Sequence, residues 1–126
     1  MLGWWYFVKH NPWYNKRCRM IVGLLLNTYR IGYKKCALCL NGQQNDITHV
    51  LFQCESLLHI RTELWAKVIE DAPGQLGREL EAMSIYSRSK ILLNALNCDF
   101  IEEWSKVYKS IMFFVCTLFQ EYDNFT

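Results

Sequence analysis

Residues 36–54 read CALCLNGQQNDITHVLFQC and place three cysteines and one histidine within nineteen positions. The four residues are Cys36, Cys39, His49 and Cys54, with the spacing C-x2-C-x9-H-x4-C. Thiolates and imidazoles are the ligands that zinc binds in tetrahedral protein sites. A C-x2-C turn supplies two of them, and a second pair closes the site. The spacing therefore predicts one bound Zn2+ ion, and the alternative is a coincidence of small buried thiols.

The predicted site is structural, because four protein ligands leave no open position for water or substrate. Five residues along an α-helix rotate the chain about 140° beyond a full turn. A helix that carries His49 must therefore end before Cys54 if both side chains are to reach one ion. His59 is the rival nitrogen ligand, and its alternative is a residue on a helix surface.

The composition indicates a folded, intracellular protein. The chain has 126 residues, so one domain is the default, and its 52% hydrophobic and 15% aromatic content argues against disorder. No stretch has the features of a signal peptide or a membrane span. We therefore expect a location in the cytoplasm or nucleus, where thiols stay reduced and clustered cysteines favour metal over disulfides.

The even number of six cysteines leaves disulfides open, but Cys18, Cys98 and Cys116 lie singly in apolar, helix-like stretches and are interpreted as core thiols.

The periodicity predicts an all-α fold, a small helical domain with a CCHC zinc-knuckle loop between helices. Apolar residues recur at helical spacing over about 16–29, 57–70, 77–82, 87–96 and 100–122. No run of strand length alternates with a period of two. We divide the chain into an aromatic-rich lead-in at 1–15, which resembles the end of a preceding region, a zinc-binding helical module at 16–70, and a helical extension at 71–126.

Charge is distributed unevenly between the two parts of the chain. Residues 1–45 contain seven Lys or Arg and no acid, a net charge of +7, whereas residues 46–126 contain seven basic and twelve acidic residues, a net charge of −5. Cations neutralise phosphates and aromatic faces stack on unpaired bases, so an RNA or DNA partner is expected. The alternative is a solvated basic face and a set of core aromatics. The candidate nucleic-acid-binding residues are Arg17, Arg19, Arg30, Tyr33, Lys34 and Lys35.

The segment around the cysteines resembles a known family. Cys36-Ala-Leu-Cys39, a polar spacer, the block Asp46-Ile-Thr-His-Val-Leu-Phe-Gln-Cys54, and then Arg61 and Trp65 are similar to the zinc-binding C-terminal region of non-LTR (LINE-type) retrotransposon reverse transcriptases. The resemblance covers about residues 16–70. It implies a region downstream of the polymerase, cut from a longer chain, that helps to bind the RNA or the DNA target of the element.

No enzymatic activity is expected. The chain has no Asp-Asp pair, and phosphoryl transfer by two metal ions needs clustered carboxylates. No nucleophile–base pair or Gly-rich phosphate loop appears, so no small-molecule substrate is expected. The alternative function is a structural or protein-interaction domain that docks on the upstream reverse transcriptase domain and does not itself bind nucleic acid.

Overall fold

The fold is all-α, as the sequence predicts. A computed structural model describes residues 2–25, 47–97 and 104–125, and within these ranges it contains no strand. Single 3-10 turns lie at Pro12–Tyr14, Glu55–Leu57 and Ala95–Asn97, and a π-helix lies at His49–Gln53. The α-helices are α1 (Leu2–His10), α2 (Asn15–Leu25), α3 (Leu58–Asp71), α4 (Leu76–Ala82), α5 (Ile85–Leu93) and α6 (Ser105–Phe125).

Helix α6 is the element around which the core forms. It packs against α2, α3 and the π-helix. Its apolar residues recur every three or four positions, which places them along one side of a helix. The buried members of this predicted stripe are Val107, Tyr108, Ile111, Phe114, Val115, Leu118 and Tyr122. Helix α3 contributes the matching face, with Val68 fully buried and Leu64 and Trp65 half-buried.

Helix α1 is a structural element that the sequence pattern did not predict, since aromatics occupy every position of residues 4–7. The structure turns Trp4 and Phe7 into the core, where both rings pack near Tyr108. Trp4 also donates a hydrogen bond from Nε1 to the carbonyl oxygen of Leu93, at 2.8 Å. The lead-in at 1–15 thus shares one core with residues of the C-terminal extension, while the three-part division of the chain stays a prediction.

The C-terminal ends of α3 and α5 can be compared with the predicted ends. Helix α3 ends at Asp71, before Ala72-Pro73-Gly74, as predicted. The helix predicted over 87–96 is observed as α5 at Ile85–Leu93. It ends early because Ala95 and Leu96 have φ values of 52° and 63°, which an α-helix does not allow. Tyr108 stabilises this turn by donating its hydroxyl to the carbonyl oxygen of Ala95, at 3.2 Å.

Two further predicted helices lie only partly within the described residues. Helix α2 confirms the predicted helix at 16–29 as far as Leu25, and the rest of that helix and the loop with Cys36 and Cys39 lie outside the described residues. The helix predicted over 100–122 is described from Ser105, as part of α6. None of the helices in the described ranges is long and apolar enough to cross a membrane.

Candidate functional site

His49 and Cys54 lie at the two ends of a single π-helical turn. The backbone N–H of Cys54 donates to the carbonyl oxygen of His49 at 2.7 Å, five residues back. Cys54 itself has extended backbone angles, φ −62° and ψ 116°, so the helix ends at Gln53. The prediction that it ends before Cys54 is confirmed. The π-turn was not predicted, and it brings the chain back to its starting side after five residues, where an α-helix would not. Such turns are rare and often lie at functional sites.

Both side chains of this pair are fully buried. His49 and Cys54 are each 0% exposed, next to buried Val50 and Leu51. A fully buried imidazole is uncommon, since histidine is usually only partly covered. His59, the rival ligand, is 90% exposed on α3 and lies 3.7 Å from Glu63. The interpretation of His59 as a surface residue is confirmed, and burial beside Cys54 favours His49 as the nitrogen ligand.

A buried arginine holds the end of the π-helix. Arg61 donates from Nε to the carbonyl oxygen of Leu51 at 2.8 Å and from Nη2 to that of Cys54 at 2.6 Å. Leu51 lies in the last turn of the π-helix and Cys54 at its end, where backbone acceptors lack helical partners. Burial lowers the pKa of Arg61 from its usual value, and the charge of a Cys54 thiolate opposes that shift. Arg61 thus places a positive charge near the buried Cys54 thiol.

The sequence pointed to Arg61 only through the family resemblance. Its two hydrogen bonds assign it a role that the sequence did not, which is to fix the backbone between the histidine and the cysteine. No spacing rule signals such a contact, because it joins a side chain to carbonyls 7 and 10 residues away.

An aromatic cluster joins the π-helix to α3 and α6. Phe52, Trp65 and Phe114 lie with ring centroids 5.4–5.5 Å apart. The guanidinium of Arg88 covers it, 5.0 Å from the ring centroids of both Phe52 and Trp65. Sequence analysis did not single out Arg88, whose side chain also donates to the carbonyl oxygens of Leu80, Glu81 and Met83. The π-helix is thus tied to α3, α6 and the turn between α4 and α5.

Two other cysteines are core thiols, as predicted. Cys18 and Cys116 are 0% and 1% exposed, and burial raises the pKa of each thiol to about 12. Their sulfurs lie against apolar or backbone partners: Cys18 Sγ is 4.0 Å from Met112 Sδ, and Cys116 Sγ donates to the carbonyl oxygen of Arg17 at 3.6 Å. Cys98 lies outside the described residues.

The structure describes two of the four predicted zinc ligands. His49 and Cys54 offer an imidazole nitrogen and a thiol sulfur, donors that suit zinc, while Cys36 and Cys39 lie outside the described residues. Within the described ranges, no group of three or more His, Cys, Asp or Glu side chains is placed to hold a metal ion. The complete ligand set stays a prediction.

Two of the candidate nucleic-acid-binding residues lie on α2. Arg19 is exposed. Arg17 is half-buried, with its guanidinium carbon 4.9 Å from the ring centroid of Phe113. The other four candidates lie outside the described residues: Arg30, Tyr33, Lys34 and Lys35.

Comparison with known proteins found no match. A scan against protein-family models, a search of curated proteins and a search of solved structures each returned no significant similarity.

Proposed function

We propose that the chain is a non-catalytic zinc-binding module from the C-terminal region of a LINE-type reverse transcriptase, which binds RNA or DNA through its basic N-terminal part. One observation carries the zinc half of this proposal. A histidine and a cysteine are both fully buried, at the two ends of one π-turn whose carbonyls are fixed by a buried arginine.

The donor set fits zinc. An imidazole and a thiolate from the π-turn, with two thiolates from the C-x2-C pair, give the three-sulfur, one-nitrogen set of a closed structural site. Cys36, Cys39, His49 and Cys54 would hold the ion. Its contribution is to fix the loop onto α3 and α6, since binding to a structural site contributes directly to folding.

The nucleic-acid half rests on charge. All of the net positive charge lies in residues 1–45, which contain no acid. Arg19 projects from α2 as an exposed cation, and Lys9 and Lys16 are exposed nearby in the sequence. The ion pairs among the described residues join residues 59–71 only, so these three cations keep their charge available for an anionic partner.

Salt-dependent binding tests this half. Affinity of the zinc-loaded chain for single-stranded RNA and for duplex DNA is measured between 50 and 200 mM salt, conditions over which phosphate contacts lose affinity steeply. The variant Arg19→Gln/Lys34→Gln/Lys35→Gln should bind more weakly, and each lost contact should reduce the slope of log affinity against log salt by about 0.7 on a single strand.

The matched control removes the same charge elsewhere. Arg78, Lys90 and Lys106 are exposed on α4, α5 and α6, and changing these three to Gln should leave the slope unchanged. Affinity independent of salt, or an equal loss in both variants, would refute binding through the N-terminal part. A chain that binds no nucleic acid would favour the docking alternative.

A further inference from the structure

The N-terminal region exposes large aromatic side chains. Five large hydrophobic side chains are exposed among the described residues, and three of them lie within nine positions: Trp5 at 43%, Tyr6 at 47% and Trp13 at 69%. The other two, Leu58 and Tyr86, lie on different helices. Scattered exposed hydrophobics need no explanation, but a concentration of them marks an interaction site. We call Trp5, Tyr6 and Trp13 the aromatic surface.

The exposure of the aromatic surface is fixed by the core. Trp4 and Phe7 define the inner side of α1, and the hydrogen bond from Trp4 to Leu93 prevents α1 from rotating about its axis. Trp5 and Tyr6, which follow Trp4 at about 100° per residue, must therefore point away from that side. Trp13 is presented by the 3-10 turn after Asn11, while the neighbouring Tyr14 turns inward and stacks on Phe7 at 5.9 Å.

Cations accompany these rings. Lys9 follows Trp5 by four positions and Tyr6 by three, so it lies on the same face of α1. Lys16 follows Trp13 by three positions, and both lysines are exposed. No acidic residue occurs anywhere in residues 1–45. The surface thus combines flat apolar faces with two exposed cations.

We propose that the aromatic surface stacks on the bases of a single-stranded nucleic acid while Lys9 and Lys16 contact its phosphates. This rests on the proposed function and specifies its ligand. Cations alone would serve any polyanion, but exposed rings gain energy only from bases that are not already stacked in a duplex. Aromatic platforms beside a cationic groove are the general means by which proteins hold single strands without sequence preference.

The test uses the zinc-loaded full chain with a labelled oligouridylate and an RNA duplex of the same length. The main variant is Trp5→Ala/Tyr6→Ala/Trp13→Ala. Its matched control, Leu58→Ala/Tyr86→Ala, removes the other two exposed hydrophobics. Each base–aromatic stack supports roughly a tenfold or greater gain in affinity. We expect at least a tenfold loss on oligouridylate for Trp13→Ala, a larger loss for the triple variant, and no loss for the control.

Three readouts separate this inference from the proposed function. The salt slope should stay unchanged in the aromatic variants, because no cation is removed. Duplex affinity should also stay unchanged, and Trp13→Phe should restore most of the lost single-strand affinity. Trp13→Ala is the decisive variant if the triple variant does not fold, because Trp13 is the most exposed of the three.

The outcomes that would contradict this inference also separate it from the proposed function. Unchanged oligouridylate binding in the aromatic variants, with weaker binding in Arg19→Gln/Lys34→Gln/Lys35→Gln, would overturn the aromatic surface and leave the proposed function standing. An equal loss on single strand and duplex would overturn the single-strand preference. A wild-type chain that binds neither oligouridylate, nor the RNA duplex, nor duplex DNA would overturn both this inference and the nucleic-acid half of the proposed function.

Discussion

The π-turn at His49–Gln53 and the aromatic surface at the N-terminus violate the usual burial pattern in opposite ways. The π-turn region buries an imidazole, a thiol and a guanidinium, and the aromatic surface exposes two tryptophans and a tyrosine. A buried polar group costs stability unless it is hydrogen-bonded or charge-paired, whereas an exposed aromatic group contributes little to stability and can mark an interaction site. The comparison teaches that polar burial here serves the internal architecture, whereas aromatic exposure is available for a partner. Substitutions in the first region should therefore act on folding, and substitutions in the second on binding.

The largest effect is expected from Cys39→Ser, which removes one ligand of the proposed zinc site. The variant should lose its zinc and loosen the segment on either side of the site, because structural zinc contributes on the order of 10 kcal/mol to folding in small modules. Metal analysis and amide exchange over residues 47–58 measure both effects. Cys116→Ala is the control, because that thiol is a core residue and its loss should leave the zinc content unchanged. Unchanged zinc content in Cys39→Ser would remove Cys39 from the ligand set.

The next effect is expected from Arg61→Met. This substitution keeps an unbranched chain but leaves the carbonyls of Leu51 and Cys54 without their donor. Loss of two buried hydrogen bonds from a charged group should lower the free energy of unfolding by about 3 kcal/mol. Chemical denaturation in the presence of zinc measures this loss. The free energy of unfolding of Arg61→Lys should lie between those of wild type and Arg61→Met, because an ammonium keeps the charge but lacks the fork geometry of a guanidinium. A loss below about 0.5 kcal/mol, the range of ordinary surface changes, would show that Arg61 does not hold the turn.

The core thiols should produce a smaller, pH-dependent effect. Burial raises the pKa of Cys18 and Cys116 from 9.0 to about 12. Their stabilisation is therefore complete below pH 9 and is lost as the pH rises from 9 towards 12, where the unfolded chain releases protons and the folded chain does not. Between pH 8 and 10, ionisation of each thiol in the unfolded chain should lower the free energy of unfolding of the wild-type protein by about 1.4 kcal/mol. The variant Cys18→Ala/Cys116→Ala should not show this decrease. Parallel pH profiles for the two proteins would contradict the assignment.

The smallest effect on stability is expected from Trp13→Ala. Trp13 is 69% exposed, so its removal should change the free energy of unfolding by less than about 0.5 kcal/mol. Thermal unfolding of the variant beside wild type measures this. The same variant is predicted above to lose single-strand affinity, and that combination is what distinguishes a binding residue from a core residue. A substantial loss of stability would mean that Trp13 supports the fold.

The sequence predicts elements whose apolar residues lie along one stripe. Helix α6 and α3 are of this kind, because Ile111, Phe114 and Val115, like Leu64 and Val68, recur at helical spacing. Helix α1 has an aromatic at every position of residues 4–7, so periodicity does not separate its buried side from its exposed side. That choice is made by Leu93, whose carbonyl accepts the Trp4 hydrogen bond from 89 residues away.

The candidate site shows the same difference between features set by local pattern and features set by tertiary contacts. The end of the helix before Cys54 follows from helical rotation and is observed. The π-turn does not follow from it, and the hydrogen bonds from Arg61 to the carbonyls of Leu51 and Cys54 are tertiary contacts that local pattern does not contain. Arg88 over Phe52 and Trp65 is a tertiary contact of the same kind. Local pattern identifies candidate ligands, and side chains from other helices decide how the backbone presents them.

X-ray absorption spectroscopy at the zinc edge of the purified chain tests the central claim most directly. The account predicts one zinc ion per chain with three sulfur ligands at about 2.3 Å and one nitrogen ligand at about 2.0 Å, and a loss of the nitrogen shell in His49→Ala but not in His59→Ala. A chain without zinc, a shell of oxygen ligands, or a nitrogen shell that disappears only in His59→Ala would contradict it.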